Sequence, residues 1–94
     1  MCGIAGIFWS NKPDQKIKVN QMVESMRYRG PDGVGLVDLG IGVIGHCRLS
    51  IIDLSVEANQ PMSSIDGSYS IVFNGEIYNF IELREELIQL GFKF

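Results

Sequence analysis

The sequence predicts an α+β domain, because stretches of β-forming residues and stretches with helical periodicity both occur along it. The run from Gly3 to Trp9 is apolar and aromatic and predicts a buried strand. Between Gln15 and Tyr28, the apolar residues Val19, Met22, Val23 and Met26 recur at helical spacing, which predicts a helix with one buried face. With 94 residues, 46% hydrophobic and 20% charged, the chain is expected to form one globular unit.

Further strands are predicted in the middle of the chain. Two extended runs, Gly35 to Leu39 and Ile41 to Cys47, are separated by Gly40 and predict a β-hairpin. The run Tyr69 to Phe73 is rich in β-formers and predicts a strand buried on both faces.

A second helix is predicted near the end of the sequence. Asn79 and Glu82 have the spacing of a capping box at its start, and Gly91 provides the C-terminal stop. Its buried stripe is predicted to consist of Phe80, Leu83, Leu87 and Leu90.

Charge and composition exclude several classes of partner. The net charge of −3 provides no basic patch for nucleic acid or anionic lipid, and no apolar run approaches the roughly 20 residues that cross a bilayer. The first residues lack the basic segment of a secretory signal, so a cytoplasmic location is expected. Cys2 and Cys47 are then expected to remain thiols.

Cys2 is the first candidate catalytic residue. Once Met1 is removed, Cys2 carries a free α-amine with an ordinary pKa of about 7.7 to 8.0, so one residue can supply both a nucleophile and a base. The alternative is a small buried cysteine that opens a strand.

The segment from Gly45 to Asp53 contains a second candidate. Arg48 lies among apolar β-formers, and a guanidinium is expensive to bury in such surroundings unless it meets an anionic partner. It is either a clamp for a substrate carboxylate or one half of a structural salt bridge, for instance to Asp53. His46 is interpreted as a satisfied structural residue, with a catalytic base as the alternative, and Cys47 as a core residue.

Two loops are also candidates. The run Arg29 to Gly35 crowds a proline and three glycines together, which predicts either a tight connection or a ligand-binding loop. Asn74 and Gly75 end the predicted Tyr69 to Phe73 strand and form either a type I′ turn or a source of oxyanion-hole donors. A helix follows them, which argues against a tight hairpin.

Together these motifs resemble the glutaminase domain of the class II glutamine amidotransferases, which are N-terminal nucleophile hydrolases, and most closely the asparagine synthetase branch. The resemblance spans nearly the whole chain. The matching segments are residues 1–8 (MCGIAGIF), 29–35 (RGPDGVG), 45–55 (GHCRLSIIDLS), 59–62 (NQPM) and 74–84 (NGEIYNFIELR).

The resemblance implies a role for each candidate residue. Cys2 would attack the side-chain amide of glutamine and form a thioester, while Asn74 and Gly75 hold the oxyanion. Arg48 would bind the substrate α-carboxylate and Glu76 its α-ammonium group. Backbone groups of Leu49, Ile51 and Ile52 would line the glutamine pocket. The glutaminase step needs no cofactor and no metal, and it requires that Met1 be removed.

The resemblance also implies that the 94 residues are the N-terminal portion of the domain. The complete domain would be a four-layer αββα sandwich, followed by a synthetase domain that uses ATP and Mg²⁺ to activate aspartate and accepts the ammonia. A homodimer of the full enzyme is compatible with this interpretation. The alternatives are an amidotransferase acting on another carboxylate, for example in surface-polysaccharide synthesis, or an inactive fragment that serves as a folding or interaction module.

Overall fold

A three-stranded antiparallel sheet forms the centre of the molecule. The computed structural model describes residues 2–9, 13–50 and 58–93. The sheet contains β1 (Gly3–Phe8), β2 (Gly33–Asp38) and β3 (Gly42–Arg48) in the order β1-β3-β2. The central strand β3 pairs with both neighbours, and all seven of its residues are buried.

Helix α1 (Gln15–Ser25) covers one face of this sheet. Val19 and Val23 of α1 and Val43 and Cys47 of β3 form the buried core, each at most 1% exposed. Gly45 lies between them, because a Cβ there would come within 2.7 Å of a Val23 methyl group. The helix therefore packs closely on β3, as the apolar spacing in its sequence predicts.

The opposite face of the sheet carries the segment that follows residue 58. Gly35 lies directly against the carbonyl group of Gln60, where no side chain would fit. The Gln60 side-chain oxygen in turn accepts a hydrogen bond from the Phe73 N–H at 2.6 Å. Between these two points, β4 (Met62–Ser63) and β5 (Ser70–Ile71) form a short antiparallel ladder.

Helix α2 (Phe80–Gln89) follows that segment. It ends as predicted, because Gly91 has a φ of +97° and the N–H groups of Gly91 and Phe92 bind the carbonyls of Ile88 and Leu87 at 3.0 Å each. Its start is also placed correctly after Asn79, but the predicted capping box is absent, since the Asn79 side chain makes no capping hydrogen bond.

The structure corrects several predicted boundaries. Strand β1 stops at Phe8, because Trp9 adopts a φ of 55° and is 84% exposed. Since β1 is an edge strand, its residues alternate in burial and the strand is not buried throughout. Helix α1 ends at Ser25 and not at Tyr28, because the chain tightens into turns ahead of Pro31.

Two predictions of burial are wrong. The predicted Tyr69 to Phe73 strand is reduced to the two residues of β5, which pair only with β4 at the surface. The apolar stripe of α2 is not buried, and only Leu87 among its four predicted residues is half-buried. Within the described ranges, neither helix has the length and apolar character that crossing a bilayer requires.

Candidate active site

Cys2 lies beside the C-terminal end of the central strand. Its neighbour Gly3 pairs with Cys47, which places the Cys2 thiol next to the residues that follow β3. The Leu49 N–H points at the Cys2 sulfur with a nitrogen–sulfur distance of 3.4 Å, and the Leu49 carbonyl oxygen is 3.8 Å from the same atom. The thiol is half-buried and makes no disulfide. Cys2 is thus held at a defined point, against the residue that follows Arg48.

The loop that begins at Arg29 forms hydrogen bonds both with Cys2 and with the end of β3. The Arg29 Nε–H donates to the Cys2 carbonyl oxygen at 3.3 Å. Further along the loop, the Asp32 N–H donates to the Arg48 carbonyl at 2.8 Å, and the Asp32 carboxylate accepts a hydrogen bond from the Ser50 N–H at 2.7 Å. The sequence predicts either a tight connection or a ligand-binding loop here. The described contacts favour the tight connection, because the loop forms its hydrogen bonds with Cys2, Arg48 and Ser50.

Gly30 sets how closely this loop approaches β3. A Cβ at Gly30 would be 2.5 Å from the carbonyl carbon and oxygen of Cys47 and 2.6 Å from the Arg48 nitrogen. The loop backbone therefore touches the strand backbone directly. This contact is possible only because residue 30 has no side chain.

Arg48 ends β3 and is buried, with 7% of its surface exposed. Its Nη1 donates to the Asn59 side-chain oxygen at 2.8 Å, so one described partner of the guanidinium is a neutral amide. The alternative partner Asp53 lies outside the described residues. A buried guanidinium with donors in a fixed planar arrangement can bind a carboxylate through two parallel hydrogen bonds.

His46 precedes this arginine by two residues and is fully buried. Neither of its ring nitrogens has a hydrogen-bond partner in the described part of the chain. Burial lowers the pKa of His46 below its usual value, the Phe73 backbone acts in the opposite direction, and Arg48 lowers the pKa further. Among the described residues, the Phe73 backbone interacts with the His46 ring without meeting full hydrogen-bond geometry, and Cys47 is confirmed as a core residue.

Asn74, Gly75 and Glu76 lie in an exposed segment between β5 and α2. The Phe73 ring packs against Gly75, where a Cβ would meet a ring carbon at 2.7 Å. Within the described residues, no side-chain hydrogen bond connects Asn74 or Glu76 to Cys2. Cys2 and Leu49 are thus in contact beside the strand end that carries Arg48, whereas the described contacts leave Asn74 and Glu76 apart from them. Ile51 and Ile52 lie outside the described residues.

Comparisons with known proteins identify the family of the chain. The family model described as the glutamine amidotransferase domain matches residues 1–94. The chain belongs to the glutamine amidotransferase domain family. The resemblance inferred from its motifs is thereby confirmed.

Among its relatives, this amidotransferase chain is 46% identical to asparagine synthetase [glutamine-hydrolyzing] 1 of Bacillus subtilis, over 100% of the chain and 15% of the relative. It is 40% identical to the corresponding protein 1 of Saccharomyces cerevisiae, over 98% of the chain and 16% of the relative. It is 38% identical to the putative asparagine synthetase [glutamine-hydrolyzing] 2 of Methanocaldococcus jannaschii, over 92% of the chain and 20% of the relative. The chain therefore spans no more than a fifth of the length of these proteins.

Two residues that were not predicted to act at the candidate site make contacts there. Asp32 joins the loop to Ser50, and Asn59 binds Arg48. Both lie inside motifs that carry the family resemblance, Arg29 to Gly35 and Asn59 to Met62. The chemistry indicated only that a buried arginine requires an acceptor, and it did not identify Asn59 as that acceptor.

Proposed function

We propose that this chain is the glutamine-hydrolysing part of an amidotransferase of the asparagine synthetase type. The observation that carries the proposal is the contact of the Cys2 sulfur with Leu49, the residue after Arg48 at the end of the central strand, in a chain of the glutamine amidotransferase domain family. Its relatives are named as glutamine-hydrolysing asparagine synthetases, and these names support glutamine as the substrate.

Substrate binding is assigned to two charges of opposite sign. The Arg48 guanidinium binds the α-carboxylate of glutamine, and Glu76 receives its α-ammonium group. Because Arg48 is buried, its attraction for an anion is less screened by water than that of a surface arginine. The Leu49 backbone, which contacts the Cys2 sulfur, is proposed to line the glutamine pocket.

The chemical step begins when the α-amine of Cys2, free after removal of Met1, takes the thiol proton. The thiolate attacks the side-chain carbonyl carbon of glutamine, and the Asn74 amide and the Gly75 N–H stabilise the resulting oxyanion. The carbon–nitrogen bond then breaks, the proton held by the amine passes to the leaving ammonia, and a thioester remains on Cys2. Water attacks the thioester, which releases glutamate and restores the thiol.

The wider assignment follows the relatives. The complete domain is proposed to be a four-layer αββα sandwich of the N-terminal nucleophile type, of which the described sheet and α1 form one part. Its ammonia is proposed to pass, in the cytoplasm, to an aspartate that a synthetase domain activates with ATP and Mg²⁺. An amidotransferase that uses another carboxylate is the second candidate, and the two differ only in the acceptor that consumes the ammonia.

The proposal is tested by measuring glutamate release from glutamine with the natural gene product whose Met1 has been removed. We expect Cys2→Ala to reduce release by at least about 1,000-fold, because it removes the nucleophile. Cys47→Ala is the matched control, because it removes the other thiol, which lies in the core, and it should retain activity. Undiminished glutamate release by Cys2→Ala would refute the mechanism.

A second variant isolates the α-amine. An alanine inserted between Met1 and Cys2 preserves the thiol but converts its amine into a peptide nitrogen. This variant should lose glutamate release to a similar degree, while an accessible thiol still reacts with an alkylating reagent. Full activity of the insertion variant would show that another group acts as the base.

A further inference from the structure

Asn59 contacts the arginine of the proposed glutamine site from a second segment of the chain. Its side-chain oxygen accepts a hydrogen bond of 2.8 Å from Arg48 Nη1, and the arginine that makes this bond is 7% exposed. Arg48 belongs to β3, whereas Asn59 lies in the irregular segment that precedes β4. The bond therefore fixes the guanidinium relative to a part of the structure outside its own strand.

Gly33 provides the space in which the Asn59 side chain sits. Gly33 is the residue of β2 that pairs with Arg48, and a Cβ there would be 2.9 Å from the Asn59 oxygen and 3.1 Å from its nitrogen. The amide is thus enclosed by the backbone of β2 on one side and by the guanidinium on the other. Its orientation follows from this packing.

The charge of the partner matters for the chemistry. A carboxylate at position 59 would hold Arg48 equally well, but it would neutralise the charge that has to attract a substrate anion. An amide oxygen orients the guanidinium without neutralising its positive charge.

We propose that Asn59 is a positioning residue that orients Arg48 for the α-carboxylate of glutamine while preserving the positive charge of the site. This inference rests on the proposed function, since it assigns Asn59 a role in binding that same substrate. Asn59 touches Arg48 and acts through it, at a distance from the amide bond that breaks.

The test compares steady-state glutaminase kinetics of the natural gene product with those of Asn59→Ala and Asn59→Asp. For Asn59→Ala we expect the KM for glutamine to rise about tenfold with kcat within about twofold, as loss of a hydrogen bond to a charged group at a binding residue predicts. Asn59→Asp should also raise KM, although it keeps Arg48 in place, because it cancels the charge. Asn20→Ala, at an exposed position of α1, is the matched control and should leave both constants unchanged.

A purely structural role predicts a different pattern. If Asn59 only supported the fold, Asn59→Ala would lower the active fraction and hence kcat at unchanged KM, and Asn59→Asp would behave like the wild type. A substrate without the carboxylate separates the two roles further. On the α-amide of glutamine, the effect of Asn59→Ala should shrink to less than about twofold, because there is no anion for Arg48 to bind.

The outcomes distinguish this inference from the proposed function. Unchanged KM in both Asn59 variants of an active enzyme would overturn the role of Asn59 and leave the function intact. Absence of glutamate release from the wild type with Met1 removed would overturn both. If Asn59→Ala fails to fold, the KM of Asn59→Asp decides, because that variant retains the hydrogen bond to Arg48.

Discussion

Replacement of Gly30 by alanine tests how much the close contact between the Arg29 to Gly35 loop and β3 stabilises the fold. The added Cβ would lie 2.5 Å from the carbonyl carbon and oxygen of Cys47. These are backbone atoms of the central strand, so no side chain can rotate away to make room. The loop would have to retreat by about 1 Å to reach an ordinary carbon contact of roughly 3.5 Å.

The cost of this retreat follows from the bonds it breaks. The hydrogen bonds that join Asp32 to Arg48 and to Ser50 are 2.8 and 2.7 Å long, so neither survives a movement of that size. Overpacking costs about 1–3 kcal/mol and each lost hydrogen bond about 0.5–1.5 kcal/mol. We therefore expect Gly30→Ala to lower the free energy of unfolding by about 2–6 kcal/mol, a large part of the stability of a typical domain.

Urea unfolding followed by far-ultraviolet circular dichroism measures this loss. Gly67→Ala is the matched control, because Gly67 has a φ of +75° but a Cβ added to it would meet no atom within 4 Å. Its replacement should cost only the conformational penalty of about 1–2 kcal/mol. A Gly30→Ala variant that unfolds within about 0.5 kcal/mol of the wild type would refute the claim that the loop and β3 are in rigid contact.

The parts of the fold that sequence reasoning predicted correctly depend on neighbours close in the chain. The hairpin of β2 and β3 follows from Gly40 between two extended runs, and the structure gives Gly40 a φ of +82°. Two residues of the predicted α1 stripe, Val19 and Val23, are core positions, whereas Met22 of the same stripe is 41% exposed. In both cases the pattern that forms the element also determines which side of it is buried.

Sequence reasoning failed where burial depends on distant partners. The periodicity of α2 correctly predicts a helix, but it carries no information on what packs against the apolar side, and Phe80 and Leu83 are 44% and 39% exposed. Likewise, the need of Arg48 for a partner was predictable from its apolar surroundings, whereas the identity of Asn59 depends on how the segment after residue 58 crosses the sheet. The hydrogen-bond partners of His46 were also not predictable, because they depend on which elements of the fold cover its ring.

Two further predictions concern the core and the buried histidine. Val23→Ala should lower the free energy of unfolding by about 2 kcal/mol, because Val23 is fully buried against β3, whereas Ile17→Ala on the same helix, 63% exposed, should change it by less than about 0.5 kcal/mol. For His46, burial holds the pKa below its usual 6.5, so in mildly acidic solution the unfolded chain binds a proton that the folded chain does not. The stabilisation is therefore complete above pH 6.5 and is lost as the pH falls from 6.5 towards the lowered pKa of the folded state, by up to about 1.4 kcal/mol per pH unit. Urea unfolding measured across this interval should show that slope in the wild type and a flatter one in His46→Gln, whose side chain stays neutral. An equal slope in both proteins would mean that other groups cause the pH dependence and that the folded protein tolerates a charged His46.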